Sequence, residues 1–250
     1  MCKMKQKSFI LSLTILVKLA VFTKIISRMH NRKAAFKNGQ SFCIHKYWQG
    51  ENGLVISNEN IILEGEKVKL TPMEMEHADG LWQAAMPDII WSYMATKIRS
   101  KEEMKGAIKA AISERDKGTQ YPFTVFDKER SQIIGSTRYI DISEDNKSLE
   151  IGWTWYHPDV WRTQVNTECK LLLLEHAFET LKINRVQWKT DIRNIRSQTA
   201  IARLGAIKEG VLRKDRILKD GYVRDTVVYS MLKEEWPTAK EKLHSKMNNL

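Results

Sequence analysis

From Leu149 to Trp155 the chain reads Leu-Glu-Ile-Gly-Trp-Thr-Trp, an alternation with the two-residue period of a strand. His157-Pro158-Asp159 stops it, because proline gives no N–H to a sheet ladder. A short polar loop, Arg162 to Thr167, follows. The pattern then predicts a helix from about Val165 to Leu181, with Leu171 to Leu174, Ala177, Phe178 and Leu181 as its apolar body. Four consecutive leucines cannot share one face, so this helix is expected to be covered on most sides. A strand, a polar loop and a buried helix can bind an anion. The first N–H groups of a helix have no intrahelical partner, and the dipole's positive end points the same way. An ordinary strand-to-helix connection has the same outline, so this stretch alone leaves both readings open.

The same patterning runs through the rest of the chain. Val68-Lys69-Leu70 alternates as a strand that Thr71-Pro72 ends. Glu74 to Met86 reads as a helix with Met75, Ala78, Leu81, Trp82 and Ala85 on one stripe, and Asp88 to Met94 as a second, shorter one. Ser100 with Glu103 is a capping box opening a helix to about Lys117, before Gly118. Strands are expected at Tyr121 to Asp127, Ile133 to Ile142 and Leu149 to Trp155, joined by polar turns as a meander. Arg185 to Asp191 is a further strand. Asn194 caps a helix from Ile195 to Leu204, and Gly205 stands where a helix end favours positive φ. Ala206 to Arg213 and Val223 to Leu232 pair as strands about Asp220-Gly221. This order predicts an α+β fold: one domain with a mixed, mostly antiparallel sheet, helices on both faces, and a parallel crossover from Leu149 through Asp191. Where two parallel neighbours diverge, backbone groups become free to bind a ligand.

Charge divides the chain. The net charge of +11 invites a nucleic-acid reading, but residues 1–60 hold ten Lys or Arg against Glu51 and Glu59, and the remainder is nearly balanced. The domain therefore lacks the basic surface that nucleic acid needs, and no nucleic-acid partner is expected. Residues 1–60 form a basic, partly apolar extension. Lys18 and Lys24 interrupt its apolar run, and each would cost about 2.5–3.5 kcal/mol at a membrane centre. A helix lying on a membrane surface through residues 1–27, a poorly made span, and an extension without a role all remain open. Residues 61–237 are the expected domain and 238–250 a polar, solvated helix or tail. Three cysteines, Cys2, Cys43 and Cys169, show no paired spacing, and six histidines show no metal-ligand spacing. No metal and a reducing, cytoplasmic setting are therefore expected.

Several separate pieces carry a resemblance. They are Leu63-Glu64-Gly65 with Leu70-Thr71-Pro72, IGSTRYIDI at 134–142, LEIGWTW at 149–155, and W-x-x-x-x-N-T-E-x-K at 161–170. D-x-x-N-x-x-S at 191–197, LGAIKEGVLR at 204–213 and DG-x-x-RDTVVYS at 220–230 complete the set. In this order they resemble the GNAT superfamily of acyl-CoA N-acetyltransferases over about Leu63 to Pro237. More narrowly, they resemble its bacterial ribosomal-protein N-terminal acetyltransferase branch. The resemblance implies splayed central parallel strands and acetyl-CoA as cosubstrate, lying between Leu149–Trp155 and Arg185–Asp191. Its pyrophosphate would rest on Arg162, Thr163, Gln164, Val165, Asn166 and Thr167. Its pantetheine arm would pair with the backbone of Trp153 and Trp155 and with Asn194. Ser197 would protonate the leaving thiolate, and a primary amine would attack the acetyl carbonyl directly. The family loop usually has glycine at Gln164, glycine or alanine at Asn166, and often glycine at Arg162. Either these side chains point away and the N–H groups still bind, or affinity for CoA falls.

Glu150, on the strand beside the cleft, is the candidate general base; the plainer alternative is an exposed strand carboxylate. Ser197 can equally cap its own backbone. Asp191 is expected to order a strand end, His157 to sit in a turn, and His176 and Cys169 to be core residues. Trp82, Trp91 and Tyr93 either wall the acceptor site or belong to the core. The expected activity is acetyl transfer to a protein N-terminus or a small amine, by a monomer or homodimer. The alternative is an acyl-CoA-binding or interaction module with weak catalysis.

Overall fold

The computed structural model describes residues 60–218 and 220–248. The expectations for residues 1–59 lie outside them. Eight strands form one sheet: β1 (Leu63–Glu64), β2 (Val68–Pro72), β3 (Tyr121–Asp127), β4 (Gln132–Ser143), β5 (Ser148–Tyr156), β6 (Arg185–Asp191), β7 (Ile207–Ile217) and β8 (Val223–Leu232). Their spatial order is β1-β2-β3-β4-β5-β6-β8-β7, antiparallel throughout except for β5 beside β6. Among the described residues five α-helices accompany them: α1 (Ala78–Ala85), α2 (Lys101–Asp116), α3 (Val165–Glu175), α4 (Ile195–Arg203) and α5 (Trp236–Asn248). This is the expected α+β architecture. Among the described residues no helix is long and apolar enough to cross a membrane.

Neighbouring residues of β4 show how the two layers divide. Ile134 belongs to the cluster around α3, and Ile133 packs on the cluster around α1 and α2. Successive strand residues face opposite sides, so helices cover both faces. Leu171, Leu173 and Leu174 of α3 are buried, and Leu172 packs against the same core. The last turn of this helix, His176–Thr180, widens into a π-helix. The C-terminal segment, expected as a solvated helix or tail, is α5, and it buries Trp236, Ala239 and Leu243 in that core.

Three elements differ from expectation. The helix expected from Glu74 begins as a 3₁₀ turn at Met75–His77, where His77 Nδ1 accepts the Glu74 N–H at 3.1 Å, and Met75 is exposed. Asp88–Trp91 is only a 3₁₀ turn. It is too short to offset the cost of helix nucleation, and the Trp91 indole N–H donates instead to the Ala85 carbonyl at 3.0 Å. β7 runs on to Ile217, past Arg213, through a register shift against β8 between Leu212 and Arg216.

One clasp holds the entry to the sheet against α3. Glu168, buried in the first turn of α3, accepts the N–H groups of Glu66 at 2.6 Å, Lys67 at 3.0 Å and Val68 at 3.1 Å. A side chain on Gly65 would strike this carboxylate, which explains the glycine. The clasp joins Leu63-Glu64-Gly65 to the Asn-Thr-Glu of the helix, two of the pieces on which the resemblance rests.

Candidate active site

The alternation along β5 predicts a strand but not its defect. Arg138 on β4 faces Gly152, while Ser136 faces Trp155, so between these pairs two residues of β5, Trp153 and Thr154, oppose one of β4, Thr137. The extra residue is Trp153, at φ +50. This β-bulge bends β5. A side chain at Gly135 would collide with the Trp155 carbonyl, so glycine is needed where the strands close up again. On the other side, β5 pairs with β6 only through Ser148–Arg185, Leu149–Val186 and Glu150–Gln187. Beyond Glu150 the two parallel strands part, leaving the backbone from Ile151 to Trp155 without a partner on that side.

A cleft of about 1790 Å³ occupies this opening. Every residue proposed from the sequence for chemistry or cofactor lines it, except Val165: Glu150, Trp153, Trp155, Arg162, Thr163, Gln164, Asn166, Thr167, Asn194 and Ser197. Val165 is buried, and its N–H meets the Thr163 hydroxyl at 3.3 Å. The first main-chain bond of α3 is Glu168 N–H to Gln164 carbonyl, 2.9 Å. The N–H groups of Asn166 and Thr167, ahead of it, have no acceptor in the helix. Arg162 takes φ +64, the left-handed conformation that glycine adopts freely. The Gln164 side chain reaches α5, donating to the Met247 carbonyl at 3.0 Å. Asn194 Oδ1 accepts the Ser197 N–H at 3.0 Å as a helix cap, which leaves the Asn194 amide nitrogen unused by that bond.

Glu150 is buried rather than an exposed strand carboxylate. Its Oε2 lies 2.9 Å from Lys189 Nζ and 3.4 Å from the Gln187 amide nitrogen. Burial raises its pKa above the usual carboxylate range and outweighs Lys189, which acts in the opposite direction. Asp191 is held by Arg193 through backbone and guanidinium, as a strand-end residue. His157 accepts the Asp159 N–H in its turn. His176 stacks on Tyr139, and burial pulls its pKa down to about 4. Cys169 is buried and its thiol is pushed up to about 12. Trp91 lies in the α1–α2 core and tilts against Trp155, 5.7 Å between centroids; Tyr93 lines the cleft. Among the described residues no group of His, Cys, Asp and Glu could hold a metal ion.

Sequence reasoning missed three cleft residues. Lys170 of α3 lines the cleft yet is buried, donating to Thr154 Oγ1 at 2.7 Å and Thr137 Oγ1 at 3.3 Å. Burial pulls its pKa down to about 7. Trp188 and Arg224 also line the cleft, each with a buried nitrogen that has no hydrogen-bond partner. Lys170 and Arg224 each hold a named place in a motif of the resemblance and Trp188 sits in an ordinary strand, but nothing in the sequence assigned any of the three to the cleft.

A mixed sheet whose parallel pair opens over the first turn of a helix defines the class: an acyl-CoA-type transferase fold. The chain belongs to the GNAT acetyltransferases, since the acetyltransferase (GNAT) domain family matches residues 67–207. The N-acetyltransferase p20 of Bacillus licheniformis is 27% identical over 172 residues, covering 68% of this chain and 96% of p20. A solved GCN5-related N-acetyltransferase from Brucella melitensis superposes with a TM-score of 0.70 at 27% identity, covering 76% of this chain and 86% of that one. RimJ of Mycobacterium smegmatis, solved with CoA-disulfide, shares the fold at 20% identity and a TM-score of 0.63, covering 72% of this chain and 88% of RimJ.

Proposed function

We propose that this acetyltransferase moves the acetyl group of acetyl-CoA directly onto a primary amine, with no covalent enzyme intermediate. The observation that carries the reading is the parting of β5 and β6 beyond Glu150, beside the open first turn of α3. An extended pantetheine arm would take the place of the missing strand against Trp153 and Trp155. The pyrophosphate would meet the N–H groups from Arg162 to Thr167, where the helix dipole favours negative charge. The left-handed Arg162 and the diverted Gln164 side chain support a loop that keeps its backbone open to phosphate without glycine. The amide nitrogen of Asn194 would donate to the pantetheine.

In this scheme the neutral amine attacks the thioester carbonyl and the carbon–sulfur bond breaks. Ser197 protonates the departing thiolate and regains a proton from water, and Glu150 receives the proton of the new ammonium through water and returns it to solvent. A thiol-release assay with acetyl-CoA tests the scheme on small amines and N-terminal peptides. The expected result is acceptor-dependent thiol release that Ser197→Ala slows by 10²-fold or more. Tight CoA binding with no release on any acceptor would make the chain an acyl-CoA-binding module instead. Intact turnover in Ser197→Ala would remove Ser197 from the chemistry.

A further inference from the structure

The sheet face turned away from α3 carries a set of charges that the acetyl-CoA contacts do not use. Glu150 of β5, Lys189 and Asp191 of β6, and Arg216 and Arg224 of the β7–β8 hairpin all line the cleft. Arg216 and Arg224 stand opposite each other in the register of the hairpin. Nearly every charge here already has a partner. Lys189 pairs with Glu150 at 2.9 Å and Asp141 at 3.3 Å, Arg193 with Asp191 at 2.9 Å, and Arg216 with Asp215 at 3.3 Å. Arg224 is different. It is 7% exposed, its Nε has no hydrogen-bond partner, and no carboxylate among the described residues forms an ion pair with it. A buried guanidinium without an ion-pair partner is costly, and an arriving anion would relieve that cost.

We propose that Arg224 is the anion anchor of the acceptor subsite, and that the acceptor is a primary amine that also carries a carboxylate. The inference rests on the transferase reading and narrows its substrate class. A carboxylate fits better than a phosphate. The guanidinium fork matches two carboxylate oxygens, and the other cations of this face are already neutralised. Asp191, Asp215 and Glu150 also act on Arg224 at longer range, so a dianion would meet repulsion there. Glu150 supplies the opposite pole. Its carboxylate faces the ammonium end of the acceptor while Arg224 holds the acidic end. A zwitterion therefore matches this face, and a plain alkylamine leaves Arg224 unpaired.

Matched acceptors test this. Thiol release is measured for α- and ω-amino acids, for the corresponding amides, and for aminoalkylphosphonates. The carboxylates are expected to exceed their amides about 10- to 100-fold in kcat/KM, the span of one charged hydrogen bond. Arg224→Gln should erase that preference by raising KM for the carboxylates alone, with KM for acetyl-CoA unchanged. Equal turnover of amide and carboxylate by the native protein would overturn the proposal, as would a preference for the phosphonates. These native-protein comparisons decide the matter even if Arg224→Gln does not fold; Arg224→Met, of similar length, gives a second variant. Calorimetric binding of the amino acids to the CoA-loaded protein separates the two layers. Binding that Arg224→Gln abolishes, without thiol release from any acceptor, keeps the anchor and removes the transferase reading. Absence of both binding and thiol release removes the anchor.

Discussion

Two buried amine–oxygen contacts make opposite demands on pH. At Glu150, burial raises the carboxyl pKa and Lys189 works against it. Removing Lys189 leaves the upward influence of burial and Asp141 opposed only by Arg216, so the Lys189→Met protein should need a higher pH to ionise its base. The acid limb of its kcat/KM profile is expected to move to higher pH, and an unmoved limb would show that another group is the base. At Lys170 no carboxylate helps, and its pKa falls from an ordinary 10.5 to about 7. Between those values the unfolded chain holds a proton that the folded one does not. Stability therefore climbs with pH through that window, by at most about 1.4 kcal/mol per unit. Lys170→Met should melt higher than the native protein at pH 7, with the gap narrowing toward pH 9. The two threonines it leaves behind already bond each other at 2.7 Å, so neither is orphaned. Scanning calorimetry at the two pH values checks this.

The elements were mostly legible, because each carries its own period or cap. Ser100 caps α2 by accepting the Glu103 N–H at 3.1 Å, as its spacing predicted, although the Glu103 carboxylate turns to the Arg99 N–H at 2.7 Å instead of closing the box. What the sequence could not show is contact between elements far apart in the chain. Gly65 and Glu168 each stood inside a recognisable motif, but nothing in either motif said that they touch. The same holds for Lys170, whose character comes from hydroxyls on β4 and β5, and for Arg224, whose isolation depends on every neighbouring charge being taken. Candidates chosen by resemblance were found in the cleft because the family's motifs were present, whereas cleft residues whose character comes only from their surroundings were passed over. The clasp gives a prediction at this scale. Glu168→Ala leaves three main-chain N–H groups without their acceptor and should cost about 3 kcal/mol in urea unfolding. Glu168→Gln keeps one acceptor oxygen and should cost less. Equal losses would mean that packing, not the carboxylate, holds the β1–β2 turn to the helix.

Across the whole domain, acid is the destabilising direction. His176 must lose its burial to take a proton between pH 6.5 and its folded value of about 4, and Lys170 adds its own loss below pH 10.5. Above an ordinary thiol pKa of 9.0 Cys169, which resists ionisation until about 12, offsets the remaining Lys170 gain. Thermal melts should therefore rise from acid pH to about 9 and level off above it, and a peak at about pH 5 would show that these buried groups are hydrated in solution. The shape of the cleft has a still simpler origin. Two residues of β5 stand where β4 has one, and the surplus is Trp153. The opening is in effect a counting error written into the strand. A chain with Trp153 deleted would bring Gly152 and Trp155 into even step with Arg138 and Ser136, and β5 could run straight on beside β6. Such a protein is expected to fold, to melt no lower than its parent, and to have no room for a third extended chain, so that loss of CoA binding in a dialysis experiment would come from one residue too few.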